Sequence, residues 1–95
     1  METPGHEEFS PYVEAVFRFD GWPETLHLAV VEVASRLNPG SDRPSFTLVF
    51  RGKRNPVMPE GMRRATAPDG RAFDIYLMPI HTPSADRQDY QAVFN

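Results

Sequence analysis

Apolar and polar residues alternate along most of this 95-residue chain. The alternation is clearest in FTLVF, where Phe46, Leu48 and Phe50 fall on one side of an extended chain. A period of two is typical of a β-strand with one buried face, because successive side chains point to opposite sides of a sheet. The pattern therefore predicts a strand whose phenylalanines lie in the core.

Five further segments show the same alternation, and we predict strands at 15–20, 24–36, 61–67, 71–80 and 89–95. In the segment 24–36 the apolar phase changes at Val30 and Val31, which indicates either a bulge or burial of both faces. A helix is the alternative for this segment. Its β-branched valines favour a long bent strand instead.

Ten prolines divide the chain into short segments. Residues 20–23 and 68–70 have the composition of tight turns, and residues 38–44 read as a surface loop. The pattern allows one short helix near residues 6–13, and Pro11 must then stand in its first turn.

Six short strands joined by turns predict an all-β fold with at most one short N-terminal helix. We expect one antiparallel sheet curled into a small barrel or a two-layer sandwich, because curling lets all the apolar faces meet and hides the sheet edges. A chain of this length supports one core, so we predict a single domain over residues 1–95. Within it, residues 1–8 are a candidate flexible segment.

Composition excludes several kinds of chemistry. The chain has no cysteine, which rules out thiol catalysis, a thiolate zinc site and disulfides. His6, His27 and His81 are too widely spaced for a metal site on one rigid element. No serine stands in a nucleophile elbow, and the six glycines are isolated, so no phosphate loop is indicated. We therefore predict no catalytic residue, no metal, no cofactor and no enzymatic activity.

The N-terminal region carries five acidic residues within its first twenty positions and no apolar run, the opposite of a signal peptide. No segment approaches the roughly 20 apolar residues that a membrane-spanning helix needs. We expect a soluble protein that lies in the cytoplasm or is exported without an N-terminal signal.

Charge is unevenly distributed although the net charge is only −3. Residues 1–32 carry seven acids and one base, a net of −6, whereas residues 33–71 carry eight bases and three acids, a net of +5; the remainder is −2. The split allows separate acidic and basic faces. Strand pairing can equally mix the charges in space, and we favour that interpretation.

A candidate partner surface follows the strand at 46–50, where basic residues and methionines crowd the connection to the next strand. Tyr76 alternates outward beside it, and Trp22 stands in a turn, where it either joins an interface or caps one end of the barrel. The full candidate set is Trp22, Arg51, Lys53, Arg54, Met58, Met62, Arg63, Arg64 and Tyr76.

The segments FTLVFRG, MPEG, FDIYLMPI and YQAVFN together resemble a family of uncharacterised bacterial domains of unknown function. The resemblance covers nearly the whole chain and departs from the family pattern at Arg63, Ala65 and Ala67. Members are often encoded beside proteins that look like phage tail-collar or tail-fibre proteins. The resemblance therefore implies a partner in a phage-tail-like particle and no site residues of its own.

We accordingly expect a non-enzymatic protein-binding or assembly module that contacts another protein, or a second copy of itself, through residues 51–64 and the face around Tyr76. The alternative is a small barrel that binds a small ligand or single-stranded nucleic acid, for which the basic cluster is the main indication. An enzyme ranks third.

Overall fold

The fold is taken from a computed structural model that describes residues 5–37 and 44–94. Its elements are α1 (His6–Phe9), a 3₁₀ turn (Ser10–Tyr12), β1 (Val16–Phe19), β2 (Thr25–Leu37), β3 (Pro44–Gly52), β4 (Gly61–Thr66), β5 (Ala72–Pro79) and β6 (Gln88–Phe94). All six predicted strands and the short N-terminal helix are confirmed. Residues 38–43 of the predicted surface loop and residues 1–4 of the predicted flexible segment lie outside the described residues.

The six strands form a closed antiparallel barrel in the order β1-β2-β3-β6-β5-β4, which confirms the predicted fold class and selects the barrel over the sandwich. The four-residue strand β1 closes the ring. Phe17 pairs with Leu26 of β2, and Phe19 pairs with Ala65 of β4. Every described strand therefore has a neighbour on both sides, which removes the unpaired edges that invite aggregation.

Aromatic side chains fill the interior of the barrel. Phe50 packs edge-to-face against Phe17 and Phe19, with ring centroids 5.5 and 5.4 Å apart. Such T-shaped pairs are the preferred geometry of packed rings. The other large buried side chains at the centre are Leu26, Leu28, Leu48, Ile75, Leu77 and Tyr90.

A β-bulge in β2 explains the change of apolar phase in the sequence. Leu28 pairs with Phe50 and Val30 pairs with Val49, so Ala29 is the extra residue. The bulge turns Val30 outward and returns Val31 to the core side, opposite Leu48. This confirms the bulge and the bent strand that the valine-rich segment predicted.

The N-terminal segment closes one end of the barrel. Phe9 of α1 is fully buried and lies 4.5 Å from Phe73, 5.6 Å from Phe94 and 5.9 Å from Phe46, measured between ring centroids. Pro11 follows α1 and stands at the start of the 3₁₀ turn, not in the first turn of the predicted helix, and its missing N–H is not needed there. We call this end of the molecule the arm end.

No helix in the part of the chain that the structure describes has the length and apolar character needed to cross a membrane.

We expect Phe50→Ala to lower the free energy of unfolding by about 3–5 kcal/mol, because it leaves a cavity between Phe17 and Phe19. Val93→Ala, at an exposed outer position of β6, should cost less than about 1 kcal/mol. Urea denaturation of both variants checks the inward and outward assignment of the strands. Equal losses would contradict it.

Candidate interaction surface at the loop end of the barrel

Three connections meet at the end of the barrel opposite the arm end: residues 20–24, 53–60 and 80–87. They meet because neighbouring strands of the ring run antiparallel, so β1, β3 and β5 all end at this side, where β2, β4 and β6 begin. Most of the predicted partner-surface residues lie on or beside these connections. We call this the loop end.

Arg54 holds one connection against another. Its Nη1 donates to three backbone carbonyl oxygens of the 80–87 connection: those of Thr82 at 3.0 Å, Ser84 at 3.2 Å and Arg87 at 3.2 Å. Charge-assisted bonds of this kind are stronger than neutral ones. Nη1 of Arg54 is thus engaged within the chain, although the residue is exposed.

Asp89 is the acidic centre beside Arg54 and is almost buried. Arg87 Nε donates to its Oδ1 at 2.8 Å, and Arg51 Nε lies 3.6 Å from the same oxygen. The Asp89 backbone N–H donates to the Thr82 hydroxyl at 2.9 Å. Pairing with two arginines offsets the cost of taking the carboxylate out of water.

The remaining basic residues of the candidate set also have partners. Lys53 Nζ lies 3.4 Å from Glu24 Oε1, Arg64 Nε lies 3.3 Å from Asp74 Oδ1, and Arg63 Nη2 donates to the Pro59 carbonyl oxygen at 3.1 Å. The Lys53–Glu24 pair joins the acidic first third of the sequence to its basic middle. At these contacts the fold mixes the charges, and the basic residues do not form an unpaired cationic patch.

Met58 is not a surface residue, so its place in the predicted partner surface is wrong. It is fully buried, and its backbone N–H donates to the Tyr90 hydroxyl at 2.9 Å. The 53–60 connection folds inward over the loop end, and the flexible thioether fills the space that remains above the core. Sequence alternation cannot show this, since Met58 lies in a connection and not in a strand.

Trp22 is half-buried and its side chain packs against the core, and its backbone N–H donates to the Phe19 carbonyl oxygen at 3.1 Å. This is the capping arrangement, the alternative that the sequence left open for this residue.

Met62 and Tyr76 are the members of the candidate set that stay exposed and apolar, at 66% and 44% exposure. They are cross-strand partners of β4 and β5, so their side chains stand side by side on the outer face. The Tyr76 hydroxyl donates to the Glu60 carboxylate. This hydrogen bond, together with partial desolvation and the negative charge of Glu60, raises the pKa of Tyr76 above its ordinary value.

A strip of side chains that are apolar except for Gln91 continues from this pair across the outside of the barrel. Register places Val30 beside Val49, Val49 beside Gln91, and Gln91 beside Met78, and Met78 follows Tyr76 on the same side of β5. The Gln91 amide Nε2 lies 3.6 Å from Met78 Sδ. We call the set Val30, Val49, Gln91, Met78, Tyr76 and Met62 the outer band.

Sequence reasoning identified only Met62 and Tyr76 of this band. Val30, Val49 and Met78 belong to separate strands, and only the register of four strands brings them into one line. Among residues 5–37 and 44–94, no three His, Asp or Glu side chains are grouped closely enough to hold a metal ion.

A protein-family model described as Domain of unknown function (DUF6916) matches residues 4–94. The chain belongs to this family. The DUF6916 match includes α1, all six strands and both ends of the barrel, which agrees with the whole-chain resemblance seen in the sequence. No curated protein and no solved structure matches the chain. The DUF6916 description names no activity, so function has to be derived from the surface.

Arg54→Met should speed amide hydrogen exchange in residues 82–89 by at least about tenfold, because three backbone carbonyls lose a charged donor. Lys53→Met is the matched control, since an exposed ion pair contributes only about 0–1 kcal/mol. Exchange measured by NMR or mass spectrometry gives the comparison. Similar exchange in the two variants would show that Arg54 does not hold this connection.

Glu60→Gln should lower the pKa of Tyr76 towards the ordinary value of about 10, because the carboxylate charge is lost. Since the folded pKa is raised, the stabilising contribution is complete below about pH 10 and is lost as pH rises through the folded pKa. NMR titration of Cζ-labelled tyrosine measures it. Asp69→Asn is the control, because Asp69 raises the pKa of Tyr12 and should leave that of Tyr76 unchanged.

Proposed function

We propose that this protein is a non-enzymatic module that binds another protein through the outer band, with Met62 and Tyr76 as its main contacts. The observation that carries the proposal is their exposed side-by-side pairing at one end of an apolar strip that crosses the barrel. Tyrosine and methionine are enriched in the buried centres of protein interfaces. Both offer large apolar contact area, and methionine adapts its shape to the partner.

Charged groups border the band and supply the polar rim that such interfaces have. Glu60 accepts the hydrogen bond of the Tyr76 hydroxyl. Arg64 and Asp74 form the next cross-strand pair on the same outer face, two residues along from Met62 and Tyr76. Glu32 lies beyond Val30 on β2 and is exposed. The rim carries both signs of charge, which favours a protein surface over a polyanion as the partner.

Binding of single-stranded nucleic acid needs free cations and exposed aromatic rings on which bases stack. The five basic residues of the candidate set have partners within the chain, and Phe46 and Phe50 are buried. These contacts support the protein-binding proposal over the nucleic-acid alternative. Aromatic side chains inside the barrel likewise occupy the place that a small ligand would need.

The family resemblance suggests the class of partner. We place it in a tail-collar or tail-fibre-like structure, so the module acts in the cytoplasm during assembly or within the particle itself. The supporting observation is only the genetic neighbourhood of similar domains, whereas the outer band supports protein binding by its own chemistry.

A partner purified from the native host with the wild-type protein as bait should bind at least about tenfold more weakly to Met62→Glu, because a charge then has to be buried in the interface. Val16→Glu is the matched control, since Val16 is also an exposed apolar residue of a strand but lies on β1 near the arm end. Calorimetric titration of the purified partner gives both affinities.

Affinity for that partner should change little between low and moderate salt, because apolar contacts dominate the interface. Two results would overturn the proposal: equal effects of Met62→Glu and Val16→Glu, or a steep loss of affinity with salt that Arg63→Ala and Arg64→Ala reproduce. The second result would show that the partner is bound through these basic residues and not through the outer band.

A further inference from the structure

The arm end contains an aromatic socket built by the barrel itself. Phe46 and Phe94 are cross-strand partners and stack with ring centroids 4.6 Å apart and planes 3° from parallel. Phe73 of β5 forms the other side, and Phe9 sits between these three rings with no exposed surface. Three strands thus make a receptor for one phenylalanine, and that phenylalanine comes from outside the sheet.

Residues 5–13, which we call the arm, carry this phenylalanine and form their backbone hydrogen bonds locally. The Glu8 N–H donates to the Gly5 carbonyl oxygen at 3.1 Å, and the Val13 N–H donates to that of Ser10 at 3.4 Å. The chain's first backbone bond to the sheet comes after the arm, from Glu14 N–H to the Leu28 carbonyl oxygen at 2.7 Å. The arm is therefore attached to the barrel by side chains.

Two polar contacts accompany Phe9. Arg71 donates to the Glu8 carboxylate, and the Tyr12 hydroxyl donates to Asp69 Oδ2 at 2.7 Å. Arg71 and Asp69 both lie on the turn between β4 and β5, close in sequence to Phe73. In the arm, Phe9 thus fits the aromatic socket, Glu8 pairs with Arg71, and Tyr12 binds Asp69. Any chain with the same arm can make all three contacts.

The joint between the arm and β1 is strained. Glu14 has φ of +74°, a left-handed conformation that a side chain with Cβ disfavours. It connects the arm to the first backbone bonds of the sheet, which is where the chain would have to change direction if the arm left its own barrel. A short strained hinge favours exchange of the segment that it carries.

We propose that the arm is exchangeable: it leaves its own barrel and seats Phe9 in the socket of a second copy, giving a reciprocal dimer. This interface goes beyond the proposed binding function, because it lies at the arm end and does not use Met62 or Tyr76. Reciprocal exchange refills each socket as it is vacated, so the dimer keeps every arm contact and relieves the strain at both Glu14 hinges.

The chain has no cysteine, so single thiols report exchange directly. Chains carrying Glu8→Cys and chains carrying Arg71→Cys are mixed at high concentration and treated with a short bismaleimide. We expect a mixed covalent dimer, because residue 8 of one chain then lies against residue 71 of the other. The control pair, Glu32→Cys with Arg71→Cys, gives the level of random collision, and a yield no higher than this overturns the proposal.

The hinge supplies a second test that leaves the socket intact. Glu14→Gly removes the strain from the closed monomer and should lower the dimer association constant by about fivefold for each hinge, or about 25-fold in all. Glu32→Gly, an exposed position on β2, should leave it unchanged. Sedimentation of both variants over a range of concentrations measures this constant.

The outer band gives the last distinction. Met62→Glu should leave the dimer association constant unchanged even if it abolishes binding of another protein, so the two proposals can fail separately. An unchanged constant in Glu14→Gly overturns arm exchange. A constant that falls in Met62→Glu also overturns it, because self-association would then belong to the outer band.

Discussion

Closure of the six strands into a ring decides the role of nearly every other residue. A small barrel has one inside, and every strand must contribute to filling it. Strand β1 is only four residues long, yet without its pairing to β2 and β4 the sheet would stay open along two edges. Closure also requires β2 to bend, and the bulge at Ala29 bends the strand while returning Val31 to the core side. The alternate side chains of each strand, which the interior does not use, then face outward.

The two ends of the barrel differ in the contacts that contribute most to holding them. Aromatic packing around Phe9 closes the arm end, and such packing tolerates rearrangement because it has little directionality. Polar bonds from Arg54 and Asp89 hold the loop end, and these require defined donor and acceptor positions. The outer band lies on the outer face of the strands, and its side chains do not fill the interior of the barrel.

Alternation in the sequence predicts the strands, the buried Phe46, Leu48 and Phe50, and the bulge, because each depends on neighbouring residues alone. The choice of a closed barrel depends on β1 meeting β4, a pairing that joins Phe19 to Ala65 across 46 positions of the chain. The burial of Met58 and the engagement of Arg54 are decided in connections, where no period exists. The outer band depends on the register of strands far apart in sequence. Local pattern contains none of this information.

Arg54 has a consequence for how the loop end can vary. Its three acceptors in the 80–87 connection are main-chain oxygens, which every amino acid supplies. The side chains of Pro83, Ala85 and Asp86 are exposed and take no part in these hydrogen bonds with Arg54. The path of the connection is therefore set by a residue outside it, and its exposed positions are free to diverge between relatives while the backbone keeps its course. Such a domain can change the exposed side chains of this connection while its backbone conformation stays the same.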